Sequence, residues 1–570
     1  MVDHAADESQ WWKSAVVYQI YPRSYADSNG DGIGDLPGIT AHVDYLSELG
    51  IDLVWLSPVY VSPQDGNGYD ISDYCAIDPS FGTLADLDEV IDALHERGIK
   101  LMMDLVVNHT SDEHPWFVES RDPSSPKRAW YWWAPPREAK QAGEPGAEPT
   151  NWASAFSGPA WQLDEASGEY YLHLFSRKQP DLNWENTDVR AAVYAMMRWW
   201  VDRGVDGFRM DVINVISKRL PFSDGPVVAG APFASAFLQV ANGPRMHEFL
   251  VEMHREVLAG HDLISVGEMP GVDTEQAKVT TDPASAELDM VFTFEHMNLD
   301  QQPGGSKYDL KPLALTDLKA NLTSWQVALA EIGWNSLYWN NHDQPRVVSR
   351  FGDDTPQYRS AAAKSLGSVL HLLKGTPYVF QGEEIGMTNF PFTAIDQFQD
   401  IEAVNYLAEA TRLGRDPAQL LQAMAVKSRD NARTPMQWTG GSQAGFTTGT
   451  PWIAVNPNHA QINTEAAIAD PDSVFHHYRK LIALRHDHEV VVHGRYQLLL
   501  PEHEQLFAYT RTLDDQVLTV LANLSSDPAD LPASALVGLE SAELLLATHA
   551  DREPARLAPW ESRVLLAFAG

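Results

Sequence analysis

Cysteine is almost absent. The one residue, Cys75, excludes an internal disulfide framework and cannot build a thiolate metal site alone. It reads as a half-buried small apolar residue. No uninterrupted apolar run reaches about 18 residues, the length at which a helix crosses a bilayer. The N-terminal Met-Val-Asp-His-Ala-Ala-Asp-Glu is acidic and lacks the basic and then apolar stretches of a secretory leader. Cations are scarce beside acids: 41 Lys and Arg against 78 Asp and Glu give a formal net charge of −37. Nucleic acid and anionic membrane surfaces recruit clustered cations and are therefore poor partners. The expectation is a soluble, cytoplasmic protein acting on a neutral small molecule, without repeats, low-complexity tracts or coiled-coil heptads.

What the chain does have is strand-like segments that end in acids. Gly207-Phe208-Arg209-Met210-Asp211 and Ile264-Ser265-Val266-Gly267-Glu268 each run largely apolar and then deliver a carboxylate. Residues 98–109 and 336–343 repeat the pattern, ending in Asn108-His109 and His342-Asp343. A strand of a parallel sheet is covered on both faces and releases its functional groups at the C-terminal edge. Candidate strands at 16–21, 53–57, 99–107, 205–210, 263–268, 290–294, 336–339 and 377–381 are joined by segments with helical periodicity, such as 84–97, 189–203 and 246–259. With right-handed crossovers this predicts an α/β chain folded as a (β/α)8 TIM barrel. Residues 109–186, rich in Trp, Pro, Gly and Ser, are too many for a loop and predict an inserted subdomain after strand 3 that leans over the catalytic face. The barrel then comprises 1–108 and 187–488, with a second long excursion over 383–458. Short alternating runs at 496–500, 506–510, 516–523 and 563–568 predict a C-terminal antiparallel β domain over 489–570.

Six ordered segments carry a resemblance: Tyr18-Gln19-Ile20-Tyr21-Pro22-Arg23-Ser24-Tyr25, Asp104-Leu105-Val106-Val107-Asn108-His109, Gln179-Pro180-Asp181-Leu182-Asn183-Trp184, Gly207-Phe208-Arg209-Met210-Asp211, Gly267-Glu268 and Asn341-His342-Asp343-Gln344-Pro345-Arg346. Together they resemble the conserved regions of glycoside hydrolase family 13, the α-amylase family, in its oligo-1,6-glucosidase and α-glucosidase branch. The likeness covers essentially the whole chain. It implies a retaining α-glucosidase for short α-glucosides, isomalto-oligosaccharides foremost, with Asp211 as nucleophile, Glu268 as general acid/base and Asp343 as the third carboxylate that binds the sugar. It also implies substrate contacts from Tyr69, His109, Phe156, Phe175, Gln179, Arg209, His342 and Arg433. The chemistry wants these residue types independently, because double displacement needs one ionised and one protonated carboxylate. Arg209 points the same way as Asp211 from a strand and is expected to hold it ionised, whereas Glu268 has no basic neighbour in sequence and is expected to keep its proton.

Asp27-Ser28-Asn29-Gly30-Asp31-Gly32-Ile33-Gly34-Asp35 places oxygen ligands at every second position around glycines, like the first part of an EF-hand loop without its closing Glu. By resemblance, Asp27, Asn29, Asp31, Asp35 and the Ile33 carbonyl hold a structural Ca2+ or Mg2+. Val212, directly after the expected nucleophile, accompanies α-1,6 cleavage in this branch. One departure stands out: relatives carry an Asp where this chain has Gly66, three residues before Tyr69, and pair it with the arginine matching Arg433. Either Asp65 takes over, or the sugar pocket is more open at its closed end and Arg433 loses its usual partner. The nearest rival reading is an isomerase or transferase of sucrose or trehalose type. The loop after strand six, Phe294-Glu295-His296-Met297-Asn298-Leu299-Asp300, lacks the Arg-Leu-Asp-Arg-Asp signature of sucrose isomerases. A non-enzymatic rival, the heavy chains of amino-acid transporters, would carry a membrane anchor and lack the catalytic carboxylates.

Overall fold

The computed structural model describes residues 8–228 and 231–568. The acidic residues 1–7 read above lie outside that range. Eight strands, β1 (Val17–Ile20), β2 (Leu53–Leu56), β3 (Lys100–Leu105), β4 (Gly207–Met210), β5 (Ile264–Glu268), β6 (Met290–Phe292), β7 (Ser336–Tyr338) and β8 (Thr376–Phe380), form one sheet. Its order is β6-β5-β4-β3-β2-β1-β8-β7, with every pairing parallel. An isolated parallel bridge from Val291 to Asn335 joins β6 to β7 and closes the ring. The expected (β/α)8 barrel is present, each strand within a few residues of its expected bounds.

Side-chain alternation explains why the strands read as continuous apolar runs. Val17, Leu53, Trp55, Met102, Val266 and Phe292 pack in one buried cluster, and Tyr18, Val54, Leu101, Met103, Phe208 and Met210 pack in another with the surrounding helices. Both faces are covered, so both are apolar. The inward set changes character toward the C-terminal edge, where Gln19, Asp104, Arg209 and Glu268 continue it. That polar end layer is the floor of the site.

Residues between β3 and the helix Thr187–Arg203 carry their own three-stranded antiparallel sheet, Trp133–Ala134, Glu169–Leu172 and Trp161–Asp164. A two-residue parallel ladder pairs Trp152–Ala153 with Ala234–Ser235 and stitches this insertion to the chain after β4. At the C-terminus a five-stranded antiparallel sheet runs in the order Arg495–Leu498, Leu506–Leu513, Gln516–Asn523, Ser562–Phe568, Glu543–Ala547. Glu543–Ala547 was not expected, because Glu-Leu-Leu-Leu-Ala has no period of two; its register shifts between Leu544 and Leu546. Cys75 lies exposed on the edge strand Asp73–Ile77, not half-buried: that strand pairs on one side only, and its side chains alternate outward at Asp73 and Cys75. No helix among the described residues is long and apolar enough to cross a membrane.

Burial sets one property of the whole fold. It pushes the imidazoles of His371 and His477 down to about 3 and that of His296 to about 4. Each is neutral in the folded state, whereas an unfolded histidine titrates near about 6.5. The folded state therefore binds fewer protons below that pH, and the stability held above it is lost as the pH falls toward 4. Calorimetry is expected to show the melting temperature dropping steadily between about pH 6.5 and 4, with a shallower slope in His371→Phe. An identical slope in the variant contradicts the assignment to His371.

Candidate active site

The register of β3, β4 and β5 builds the centre of the site. Arg209 lies opposite Asp104 on β3 and Val266 on β5, so its side chain shares the inner face with Asp104 and, one pleat further, Glu268. Its guanidinium reaches Asp104 Oδ1 at 2.8 Å, Asp211 Oδ1 at 2.9 Å and Glu268 Oε2 at 2.7 Å. One cation, 1% exposed, thus bridges three buried carboxylates. Two expectations change here. Glu268 does have a basic neighbour, supplied across the sheet where the linear sequence does not show it. Asp211 is not held ionised by Arg209: burial and then the charge of Glu268 push its carboxyl well above the usual range, because the guanidinium that opposes them is divided three ways. Asp211 and Glu268 lie on the same guanidinium, so their charges oppose each other. Double displacement needs one acid and one nucleophile from such a pair of carboxylates.

Asp104 was not singled out from the sequence beyond its place in a conserved-looking segment. It is fully buried and accepts from Trp55 Nε1 at 3.0 Å, Tyr69 Oη at 3.0 Å and Arg209. Its location inside an apolar run, Leu101-Met102-Met103-Asp104-Leu105, was the available signal.

Two histidines flank the carboxylates. His342 is sandwiched between Tyr69, 5.2 Å away at 7°, and Tyr21, 6.1 Å away at 9°. Gln19 Nε2 donates to its Nδ1 at 2.8 Å, which leaves the proton on Nε2, 3.6 Å from Asp343 Oδ2. Burial drives the His342 pKa down to about 3, so the ring is a neutral donor. His109 is also neutral, pushed to about 4 by burial, and its Nε2 lies 3.1 Å from the Tyr69 carbonyl. The donor expected to face sugar hydroxyls is satisfied by backbone in this state. Phe175 packs 5.2 Å from His109 and 5.7 Å from Phe156, and Gln179 Nε2 donates to the Tyr69 carbonyl at 3.2 Å. These insertion residues form one wall against the barrel's own groups.

Asp343 sits against Arg433 at 2.7 Å and Arg429 at 3.4 Å. Burial raises its pKa, but the arginines outweigh burial and hold the carboxyl well below its usual range; His342, being neutral, contributes orientation more than charge. Arg433 thus lacks the acid usual at position 66 but pairs with Asp343, and it also donates through Nε to the His342 carbonyl at 3.1 Å. Asp65 does not reach it: the Asp65 carboxylate accepts from Ser176 Oγ. The position of Gly66 stays without a carboxylate, and a Cβ there would lie 2.9 Å from Gln179 Nε2. Arg429, unremarked in the sequence, also binds Asp400 and stacks 5.1 Å from Phe156.

The residue after Asp211 is strained. Val212 has φ +36°, a left-handed conformation that a β-branched side chain resists. The turn points its N–H at Glu268 Oε2, 3.0 Å away. Its side chain joins a buried cluster with Trp152, Trp161 and Val215, so it packs against the insertion as well as bordering the site.

The 27–35 loop lies apart from these groups. Asp27 accepts from the backbone N–H of Asn29, Gly30 and Gly32, Asp31 from that of Ile33, and Asp35 from those of Ser28 and Gly38. Among the described residues no three His, Cys, Asp or Glu gather as metal ligands.

Residues 19–494 match the family model described as alpha amylase, catalytic domain. The chain belongs to the α-amylase family. It is 55% identical over 564 residues to an oligo-1,6-glucosidase of Parageobacillus thermoglucosidasius, covering 98% of this chain and 99% of that protein. Among solved structures, a trehalose-6-phosphate hydrolase of Bacillus licheniformis superposes with a TM-score of 0.91 at 45% identity, covering 98% and 100% of the two chains. A trehalulose synthase from Pseudomonas mesoacidophila gives 0.91 at 40% identity, covering 98% and 99%. The protein is a glycoside hydrolase of the oligo-1,6-glucosidase branch.

Asp211→Asn is expected to cut kcat by ~10³-fold or more. Its melting temperature should be no lower than that of the wild type, since repulsion among three carboxylates is relieved. Glu268→Gln is expected to keep more of its rate on an aryl α-glucoside than on isomaltose, because a good leaving group needs little protonation. Equal losses on both substrates would remove Glu268 from the acid role.

Proposed function

We propose that the protein is a retaining α-glucosidase that cleaves short α-glucosides, with a preference for α-1,6-linked isomalto-oligosaccharides and transglucosylation at high sugar concentration. The observation that carries the reading is the single guanidinium of Arg209 bound to Asp104, Asp211 and Glu268, with Asp343 held ionised by two further arginines. In this proposal Asp211 attacks the anomeric carbon, Glu268 protonates the leaving oxygen and then deprotonates water, and Asp343 binds the sugar ring. Neutral His342 offers a hydroxyl-binding N–H, and Phe156, Phe175 and Tyr69 offer apolar faces to the pyranose. The preference for α-1,6 bonds is supported by Val212 beside the nucleophile and by the likeness to oligo-1,6-glucosidases. The exposed, unpaired Cys75 is compatible with a reducing, cytoplasmic setting.

An isomerase is the second reading, because the trehalulose synthase shares the fold over nearly the full length. The loop after β6 speaks against it. Asp300 there is clamped by Arg350 at 2.8 Å and by Lys427, so this loop presents a neutralised acid and no arginine of its own. Chromatography of products from isomaltose, maltose, panose, sucrose and trehalose decides between them. The proposal expects glucose from isomaltose at a higher kcat/KM than from maltose; a disaccharide isomer as the main product from sucrose would favour the rival.

We also propose that the 27–35 loop holds one structural Ca2+ or Mg2+. Its donors are all oxygen, as hard cations require, and the Asx-type bonds leave the remaining lone pairs of Asp27, Asn29, Asp31, Asp35 and the Ile33 carbonyl available to an ion. No catalytic step passes through it. Elemental analysis should find about one ion per chain, and chelation should lower the melting temperature more than it lowers activity at moderate temperature. Metal-free protein in millimolar calcium would refute the site.

A further inference from the structure

One buried cation has no part in the chemistry so far. Lys218, 2% exposed, follows β4 by a short turn, and its ammonium makes three contacts: Asp181 Oδ2 at 2.9 Å, Asn108 Oδ1 at 3.0 Å and the Val215 carbonyl at 2.9 Å. Each contact belongs to a different part of the site. Asp181 comes from the insertion and accepts from the Leu174 N–H at 2.9 Å, next to Phe175. Asn108 ends the third strand region and places its Nδ2 3.2 Å from His109 Nδ1. Val215 closes the turn after the nucleophile: its N–H donates to the Val212 carbonyl at 3.0 Å, and the Val212 N–H donates to Glu268 Oε2.

We propose that Lys218 is a positioning residue for the acid/base carboxylate, holding the strained Val212 turn in place through Val215 and tying that turn to the insertion and to His109. The inference rests on the roles given to Asp211 and Glu268 above. The strain at Val212 is what makes an anchor necessary, since a β-branched residue at φ +36° relaxes unless its surroundings fix it. Relaxation would turn the Val212 N–H away from Glu268 Oε2. Because Oε2 accepts from both Val212 N–H and Arg209, the proton for the leaving group is carried by Oε1, and losing the Val212 bond frees the carboxyl to rotate.

Lys218→Met alone leaves the Asp181 carboxylate buried without its cation and is expected to destabilise the fold. Lys218→Met with Asp181→Asn removes both charges and should recover most of the melting temperature. In that double variant, and in Lys218→Gln with Asp181→Asn, kcat on isomaltose should fall at least about tenfold further than kcat on 4-nitrophenyl α-glucoside, with KM little changed. Asp181→Asn alone keeps the ammonium on Val215 and Asn108 and should retain the wild-type ratio. Folded double variants with an unchanged ratio would make Lys218 a structural ion pair only and overturn the proposal. Wild-type protein that cleaves neither substrate would instead sink the α-glucosidase reading itself, so the two failures are distinguishable.

Discussion

The site depends on one guanidinium shared among three carboxylates. Removing three acids and one arginine from water is unfavourable unless each is paired and hydrogen-bonded, and Arg209 provides that pairing with Asp104, Asp211 and Glu268 at once. One cation against three carboxylates leaves the cluster two positive charges short of neutrality. A proton has to make up part of the difference, and the group it joins is set by which carboxylate lies nearest another: Asp211 beside Glu268. Arg209 thereby fixes geometry and proton count together, whereas a lysine would offer a point charge without the fork that spans three strands.

Charge is sorted across the pocket. On the Arg209 side the carboxylates outnumber the cation and a proton is retained. On the Asp343 side Arg429 and Arg433 outnumber the acid that faces the pocket, and Asp343 stays ionised. Between them His109 and His342 are kept neutral by burial, so they act as dipoles and do not compete for either proton. Two acids of the same chemical type are thus pushed in opposite directions by their neighbours alone, Asp211 up and Asp343 down.

Much of this was legible in the sequence because a barrel strand is short, apolar and ends in its functional group. The eight strands and the carboxylates Asp211, Glu268 and Asp343 followed from that pattern and from the family resemblance. What was not legible lies across strands. Glu268 has no basic residue within reach along the chain, yet Arg209 arrives from the adjacent strand with the register Arg209 to Val266. Arg433 lacks the acid that relatives carry at position 66, and the carboxylate that pairs with it, Asp343 beyond the end of β7, is not indicated by its neighbours in sequence. Asp104 and Arg429 were overlooked for the same reason: their meaning comes from partners 105 and 86 positions away in sequence, between Asp104 and Arg209 and between Arg429 and Asp343. The loop at 27–35 stands differently, its oxygen spacing being visible in sequence while its side chains form Asx-type turns with their own backbone.

The division of labour between barrel and insertion follows from these contacts. Asp104, Asp211, Glu268 and Asp343 all lie on or just after parallel strands whose register is fixed by continuous ladders, so their spacing tolerates little change. The wall formed by Phe156, Phe175 and Gln179 belongs to the insertion, whose ties to the barrel side include a two-residue ladder, the buried pair of Asp181 with Lys218 and the bond from Gln179 to the Tyr69 carbonyl. Substitutions within that wall can reshape the pocket without moving the carboxylates, provided those ties hold. Gly66 is such a change on the barrel's own rim: it removes a side chain beside Gln179 while Arg433 and Asp343 keep each other in place. A family with invariant chemistry and variable linkage preference is the expected product of a rigid ring of strand ends facing a separately attached wall.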